Sequence, residues 1–409
     1  MWKDFEQYVN YLSNILLQEV KVAAGCTEAA AIGLAIAAAK DEQKPPYDVE
    51  VALDYDTYKN AINVGVPGGK GIKSAILMGL NSDWRKKLEV LSEVKPVSAN
   101  LVSNISIRPL PIDALFIYAR VNNSCSVIIS THDNIIYRGP RIELREALSM
   151  FSPKRDLSVY LTMKEIQYGI IIKAIDFLID RREVLEKVRQ AIKLNMALVE
   201  EGLESQNCVI TKSLPDETLL QKILKYTSAG VEARMSGLSK SAISVAGSGN
   251  QGIVTTVPFA VYAKEVELEE EEACKAILLA WLTTLYATAF TKYVSTLCGL
   301  AIKAGLGVAA GFGYLLGRRE EVIKSAIKNH LATITGIVCD GGKPPCALKA
   351  ITAVETAYRS AELASKGVEC KEGLVGESLE ETLRNVGEYV HEARSLNNAI
   401  IKAIGMHKP

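Results

Sequence analysis

The chain has 409 residues, 48% of them apolar and 23% charged, and its 47 basic and 47 acidic side chains cancel. That length and apolar content suffice for a well-buried core spread over about two or three domains of typical size. No Lys/Arg block is long enough to follow a phosphate backbone or an anionic membrane, so nucleic acid and membrane are excluded as expected partners.

The first segment, MWKDFEQYVNYLSNILLQEV, sets apolar residues at helical spacing among charges and lacks the basic start, apolar run and small-residue cleavage site of a signal peptide. It predicts a helix in a cytoplasmic protein. A second helix follows in the alanine-rich TEAAAIGLAIAAAK. Residues 48–54 then alternate as a strand, and NLVSNISIRPL, ALFIYARV, CSVIIST and NIIYRG continue as short β-rich runs broken by turn residues. From about residue 160 the helical period takes over, through VLEKVRQAIKLNMALVEEGL and ETLLQKILKYTSAGVEARM. The acidic run Glu265 to Glu272 reads as the solvated start of a helix.

Two apolar runs within 275–317, AILLAWLTTLYATAF and LCGLAIKAGLGVAAGFGYLLG, raise the question of a membrane hairpin. The first falls short of the roughly 20 residues a span needs, and Lys303 stands mid-way in the second, where a charge in lipid is costly. They are read as buried helices. The expected fold class is α+β, with a mixed β-rich middle region (about 46–140) and a mainly helical C-terminal part that packs against the N-terminal helices. The corresponding domains are 1–45, 46–155 and 156–409.

Among the motifs, GSGNQG at 247–252 has dinucleotide-turn spacing after the strand-like SAISVA. No second parallel strand ending in an acid follows, so a nucleotide is not expected. Its Ser248, Gly249, Asn250 and Gln251 make a polar loop suited to holding a carboxylate. VGVPGGKG at 64–71 is one residue short of a phosphate loop, and Gly71 replaces the magnesium-binding hydroxyl. Gly68 and Gly69 are instead read as a second anion-binding nest. The four histidines have neither metal nor triad spacing.

Eight cysteines in a reducing compartment point to metal or chemistry rather than to disulfides. Cys125, Cys208, Cys274 and Cys370 have ordinary surroundings. Cys26, in AAGCTEAA, stands where Thr27 can cap the alanine-rich helix and where a helix start lowers a thiol's pKa. Cys298, in STLCGL, stands at the junction of the two apolar runs. Cys339 and Cys346 bracket the turn in GIVCDGGKPPCALK, whose glycines and prolines can bring both sulfurs to one point. Such thiolates suit an iron-sulfur cluster or zinc, and spacing alone leaves both open. Lys343 or Lys349 could carry pyridoxal phosphate, but no phosphate cup accompanies them.

Taken together, GCTE, VGVPGG, GSGNQGI, CGLAIKAGLG and GIVCDGGKPPCALK, in this order across nearly the whole chain, resemble the L-cysteine desulfidase family. The C-terminal cysteines are also similar to those of iron-sulfur L-serine dehydratases. Ala29 stands where the family usually continues GCTE with Pro. The resemblance implies a 4Fe-4S cluster held by Cys298, Cys339 and Cys346, and a lyase that eliminates sulfide from L-cysteine, giving pyruvate and ammonia without pyridoxal phosphate. Cys26 would be the thiol beside the substrate, as base or as fourth ligand. Asp340 and Lys343 would orient the substrate or stabilise developing charge. The alternatives are an iron-sulfur L-serine dehydratase and a non-catalytic iron-sulfur or zinc protein. The expected partner is the small-molecule substrate, with a homo-oligomer left open.

Overall fold

A computed structural model describes residues 4–112, 114–150, 158–238 and 240–406. Helix α1 (Phe5–Glu19) is capped by Asp4, which accepts from the Glu6 amide, and turns Leu12, Ile15 and Leu16 into the core. The chain then extends as β1 (Val20–Ala24), turns at Gly25 and enters α2 (Thr27–Lys40). Almost every residue of α2 is buried, as expected of a helix with no polar face. Strand β2 (Tyr47–Asp54) runs directly into α3 (Tyr55–Ala61), and the hairpin of β3 (Gly65–Val66) and β4 (Gly69–Lys70) leads to α4 (Gly71–Gly79).

Strands β5 (Val102–Leu110), β6 (Phe116–Val121), β7 (Ser124–Ile129) and β8 (Ile135–Pro140) join β2 in a five-stranded sheet of order β5-β2-β6-β7-β8. β2 is parallel to β5 and antiparallel to β6, and β6 to β8 form a meander. Alternation decides the two faces: Ile117, Ala119 and Val121 join the main core beneath α2, whereas Phe116 and Tyr118 join a smaller core closed by α5 (Leu144–Ser149) through Ala147. The Ser126 hydroxyl donates to the Ala35 carbonyl at 2.7 Å and ties α2 to the sheet.

The rest is helical: α6 (Ser158–Lys164), α7 (Tyr168–Leu178), α8 (Arg182–Glu204), α9 (Val209–Lys212) and α10 (Leu219–Met235), then the short strand β9 (Ser241–Val245). After it come α11 (Gly249–Val254), α12 (Val257–Glu265), α13 (Glu270–Thr291), α14 (Gly305–Gly317), α15 (Glu320–Ile334), α16 (Cys346–Ser365), α17 (Leu379–Glu392) and α18 (Leu396–Met406). The architecture is α+β. The acidic run is divided between the end of α12 and the first turn of α13. Both α13 and the continuous Leu300–Gly317 segment are long and apolar enough to cross a membrane, and 89% and 78% of their apolar windows are buried inside the fold. α14 lies against α13, α15 and α16.

The N-terminal segment divides. α1 packs on α7, α8 and α13, while α2 covers the sheet beside α4. Between them, β1 pairs antiparallel with β9, from Val20 opposite Val245 to Ala24 opposite Ser241. This pairing carries Cys26, two residues beyond β1, into the helical part of the molecule.

Candidate active site

Four chain passages meet beside the β1–β9 pair: the start of α2, the loop from β9 into α11, the link from α13 into a π turn at Leu300–Ala304, and the loop from α15 to α16. They enclose a cavity of about 90 Å³. Cys26, Cys298, Cys339 and Cys346 all line it, with Ser248, Asn250 and Gln251. A π turn in this position is a familiar companion of functional sites.

The cysteine loop is built by backbone pairing. Leu297 and Val338 form an isolated antiparallel bridge, the Cys298 amide donates to the Ile337 carbonyl at 2.8 Å, and the Cys339 amide donates to Thr296 at 2.8 Å. These bonds set Cys298 and Cys339 on one face, diagonally across the bridge. The diglycine that follows lets the loop lie on the carbonyl end of α3. Gly341 has φ +101°, and a Cβ there would stand 2.4 Å from the Lys59 carbonyl oxygen. Asp340 and Lys343 are ion-paired, and Asp340 also accepts from Lys349 at 2.5 Å. This brace, about one-third exposed, stands next to Cys339 in sequence, and neither Asp340 nor Lys343 lines the cavity.

Burial pushes the Cys298 thiol up to about 12, with Cys339 adding to the rise and Lys349 opposing it. Cys346 is pushed up to about 11, by burial and then by Cys339. Crowded thiols in such a setting stay protonated unless a metal cation takes them as thiolates. Among the described residues no three His, Cys, Asp or Glu side chains are grouped for a single ion. Cys298, Cys339 and Cys346 line one cavity together, and their soft sulfur donors are of the kind that suits an iron-sulfur site.

Cys26 departs from expectation in two respects. It is itself the N-cap of α2, with Thr27 the first helical residue, and its thiol is raised well above its ordinary value, by burial first and by Glu28 next. The Cys26 Sγ–H donates to Glu28 Oε2 at 2.9 Å, and the Asn60 amide donates to Glu28 Oε1 at 2.9 Å. Burial would raise Glu28 as well, but the His132 ring and the hydrogen bonds from Cys26 and Asn60 outweigh it and hold this carboxyl below its usual range. The pair is a thiol and a carboxylate, with the proton on sulfur.

Arg234, at the end of α10, is 2% exposed and lines the same cavity. Its Nη1 donates to Asn250 Oδ1 at 3.0 Å, while Nε and Nη2, on one edge of the guanidinium, have no hydrogen-bond partner among the described residues. Gly249 makes room for it, since a Cβ there would be 2.3 Å from Arg234 Nε. Lys303, anchored on the Lys292 and Tyr293 carbonyls at 3.0 and 2.9 Å, is lowered to about 8 by burial. Gly68 and Gly69 do not reach the cavity: they are exposed in the β3–β4 turn, with Gly68 at φ +81°. Glu28, Asn60, His132, Arg234 and Lys303 were not among the expected site residues. Of these, Glu28 and Lys303 carried a sequence signal, inside GCTE and CGLAIKAGLG.

The family model for the serine dehydratase alpha chain matches residues 86–401. The chain is 32% identical over 400 residues to the L-cysteine desulfidase of Methanocaldococcus jannaschii, covering 96% of each chain. It is 33% identical over 414 residues to a UPF0597 protein of Thermosipho africanus, covering 96% of this chain and 99% of that one. A UPF0597 protein of Thermosipho melanesiensis is 34% identical over 411 residues, with the same coverage.

Proposed function

The chain belongs to the serine dehydratase alpha-chain family, and because it is also similar to an L-cysteine desulfidase, we propose that it eliminates sulfide from L-cysteine, giving hydrogen sulfide, pyruvate and ammonia. The observation that carries this reading is one cavity shared by Cys298, Cys339 and Cys346, the Cys26–Glu28 pair and the unpartnered edge of Arg234. The buried Cys298 and the half-buried Cys339 and Cys346 fit a 4Fe-4S cluster by the softness of their three sulfur donors. When bound by three protein thiolates, such a cluster keeps one iron without a protein ligand, which supplies a Lewis acid for the substrate sulfur.

The protein's own groups do the rest. The Nε and Nη2 edge of Arg234 offers two parallel N–H donors to the α-carboxylate, and Asn250 keeps the guanidinium in register. Glu28 is the ionised group beside the reacting carbon. As Cys26 gives its proton to Glu28, the sulfur takes the proton from the α-carbon. The C–H electron pair becomes the Cα–Cβ double bond while the Cβ–S bond breaks and its electrons leave with sulfur. Lys303 keeps positive charge near the departing anion. The resulting 2-aminoacrylate tautomerises to an imine, and one water hydrolyses it to pyruvate and ammonia.

Anaerobic purification with iron and sulfide analysis, an absorption spectrum, and parallel assays of sulfide from L-cysteine and ammonia from L-serine test the reading. Iron near four per chain and sulfide release are expected, and Cys298→Ser, Cys339→Ser or Cys346→Ser should each lose the iron. A colourless zinc protein would sink it. Ammonia from serine without sulfide from cysteine would make the enzyme a serine dehydratase.

A further inference from the structure

Arg85, Lys86 and Lys87 follow one another on a 3-10 turn, Trp84–Glu89, that packs against β1 and α2. Between this turn, the end of α1 and helix α8 lies a second cavity, of about 440 Å³. Lys21, Arg85, Lys86, Lys87 and Lys187 line it, against the carboxylates of Glu89 and Asp133. In a chain of zero net charge this is a marked local excess of cations. Its acids do little to balance it: Asp133 is bound by Lys21 at 2.8 Å. Arg85 pairs with Asp83 at 3.2 Å, whereas Lys86, Lys87 and Lys187 make no ion pair among the described residues. Lys87 also has φ +50° and ψ −127°, a backbone region that L side chains rarely adopt and that recurs at ligand clamps.

Like charges gathered on a concave wall repel one another and focus the field into the cavity, which favours a counter-anion there. A single carboxylate would neutralise only one of three unpaired ammonium groups. The volume is within the range of small-molecule sites. We propose that this cavity binds a small molecule bearing a multiply charged phosphate group, and that its occupancy is felt at the catalytic cavity.

The connection is short. Val20, Lys21 and Val22 of β1 line the cationic cavity, and the same strand ends one residue before Gly25 and Cys26. Asp133, the partner of Lys21, follows His132, whose ring lines the catalytic cavity and packs on Tyr293 with centroids 5.4 Å apart. An anion that draws Lys21 away from Asp133 alters the field on His132 and the tether of β1 together.

The test uses the full chain at constant ionic strength, with inorganic pyrophosphate, inorganic phosphate and chloride as probes in calorimetry and thermal unfolding. Pyrophosphate is expected to bind saturably, at least about tenfold more tightly than phosphate, and to raise the unfolding midpoint. The double variant Lys86→Gln, Lys187→Gln should bind it at least about tenfold more weakly with an unchanged ligand-free midpoint, since neither side chain is ion-paired. Absence of saturable binding, or equal affinity in the variant, overturns the site. Pyrophosphate should also change kcat/KM of the wild type at least twofold and leave the variant unaffected; an unaltered wild-type rate overturns the coupling. The binding measurements do not depend on the lyase reading, so the two can fail separately.

Discussion

Replacing Arg234 tests how the cavity recognises its substrate. Two N–H groups of a fully buried guanidinium point along one edge without a partner, and the proposed occupant is the α-carboxylate. Truncating one partner of a buried, hydrogen-bonded charge pair costs about 2–5 kcal/mol. In Arg234→Met this corresponds to a loss in kcat/KM of about 30-fold to several thousand-fold. The carboxylate does not change during elimination, so the loss should fall on KM, with kcat little altered. Arg234→Lys keeps the charge without the parallel fork and should recover part of the loss, since a single charged hydrogen bond contributes about 1.5–3 kcal/mol. Without substrate, the protein forfeits the charge-assisted bond to Asn250, worth about 1.5–3 kcal/mol and offset in part by no longer burying a charge with two unpartnered N–H groups, so the unfolding midpoint should move by no more than a few degrees. Steady-state sulfide release and thermal unfolding are the assays, with cysteamine, which lacks the carboxylate, as a competing ligand whose Ki should not change. A KM within twofold of wild type in Arg234→Met, or an equal effect on cysteamine, would refute the reasoning.

Glu28→Gln should lower kcat by about 10² or more while keeping full iron, and in the wild type activity should be lost as pH falls through the depressed pKa of this carboxylate; an active variant would show that Cys26 needs no carboxylate to accept its proton. Gly341→Ala must adopt φ +101° and meet the Lys59 carbonyl, a strain of about 1–3 kcal/mol or more that lifts the loop bearing Cys339 and Cys346; iron content and melting temperature equal to wild type would show that the loop tolerates a side chain. His330, buried with Nε2 3.0 Å from the Ala301 carbonyl, is lowered to about 4 from 6.5. Its folded value is depressed, so its contribution is complete above about pH 6.5 and is lost as pH falls through 4, in all about 3 kcal/mol. Denaturant titrations of wild type and His330→Gln should therefore converge by that amount between pH 7 and pH 4, and a pH-independent difference would count against the assignment.

What the sequence by itself determined lies in residues that act through their neighbours along the chain. Alternation at 48–54 specified β2, β-rich composition between turn residues specified β6 and β7, and the apolar runs around Trp281 and Phe312 specified buried helices. The CDGGKPPC turn likewise declared its sharp bend, because Gly and Pro restrict the backbone wherever they stand. β1 was not legible: VKVAA reads as the end of a helix and becomes a strand only because β9 supplies its hydrogen bonds. The state of Cys26 was read with the wrong sign, because a helix start lowers a thiol's pKa only where burial and a carboxylate do not outweigh it. Arg234 carried no local signal at all, since an arginine late in a helix is usually solvated, and its free edge exists only where α10, α11 and the cysteine loop close around it. Periodicity and turn chemistry are local properties of the chain, whereas desolvation and charge pairing depend on groups hundreds of residues apart, and for this protein only the tertiary structure decided them.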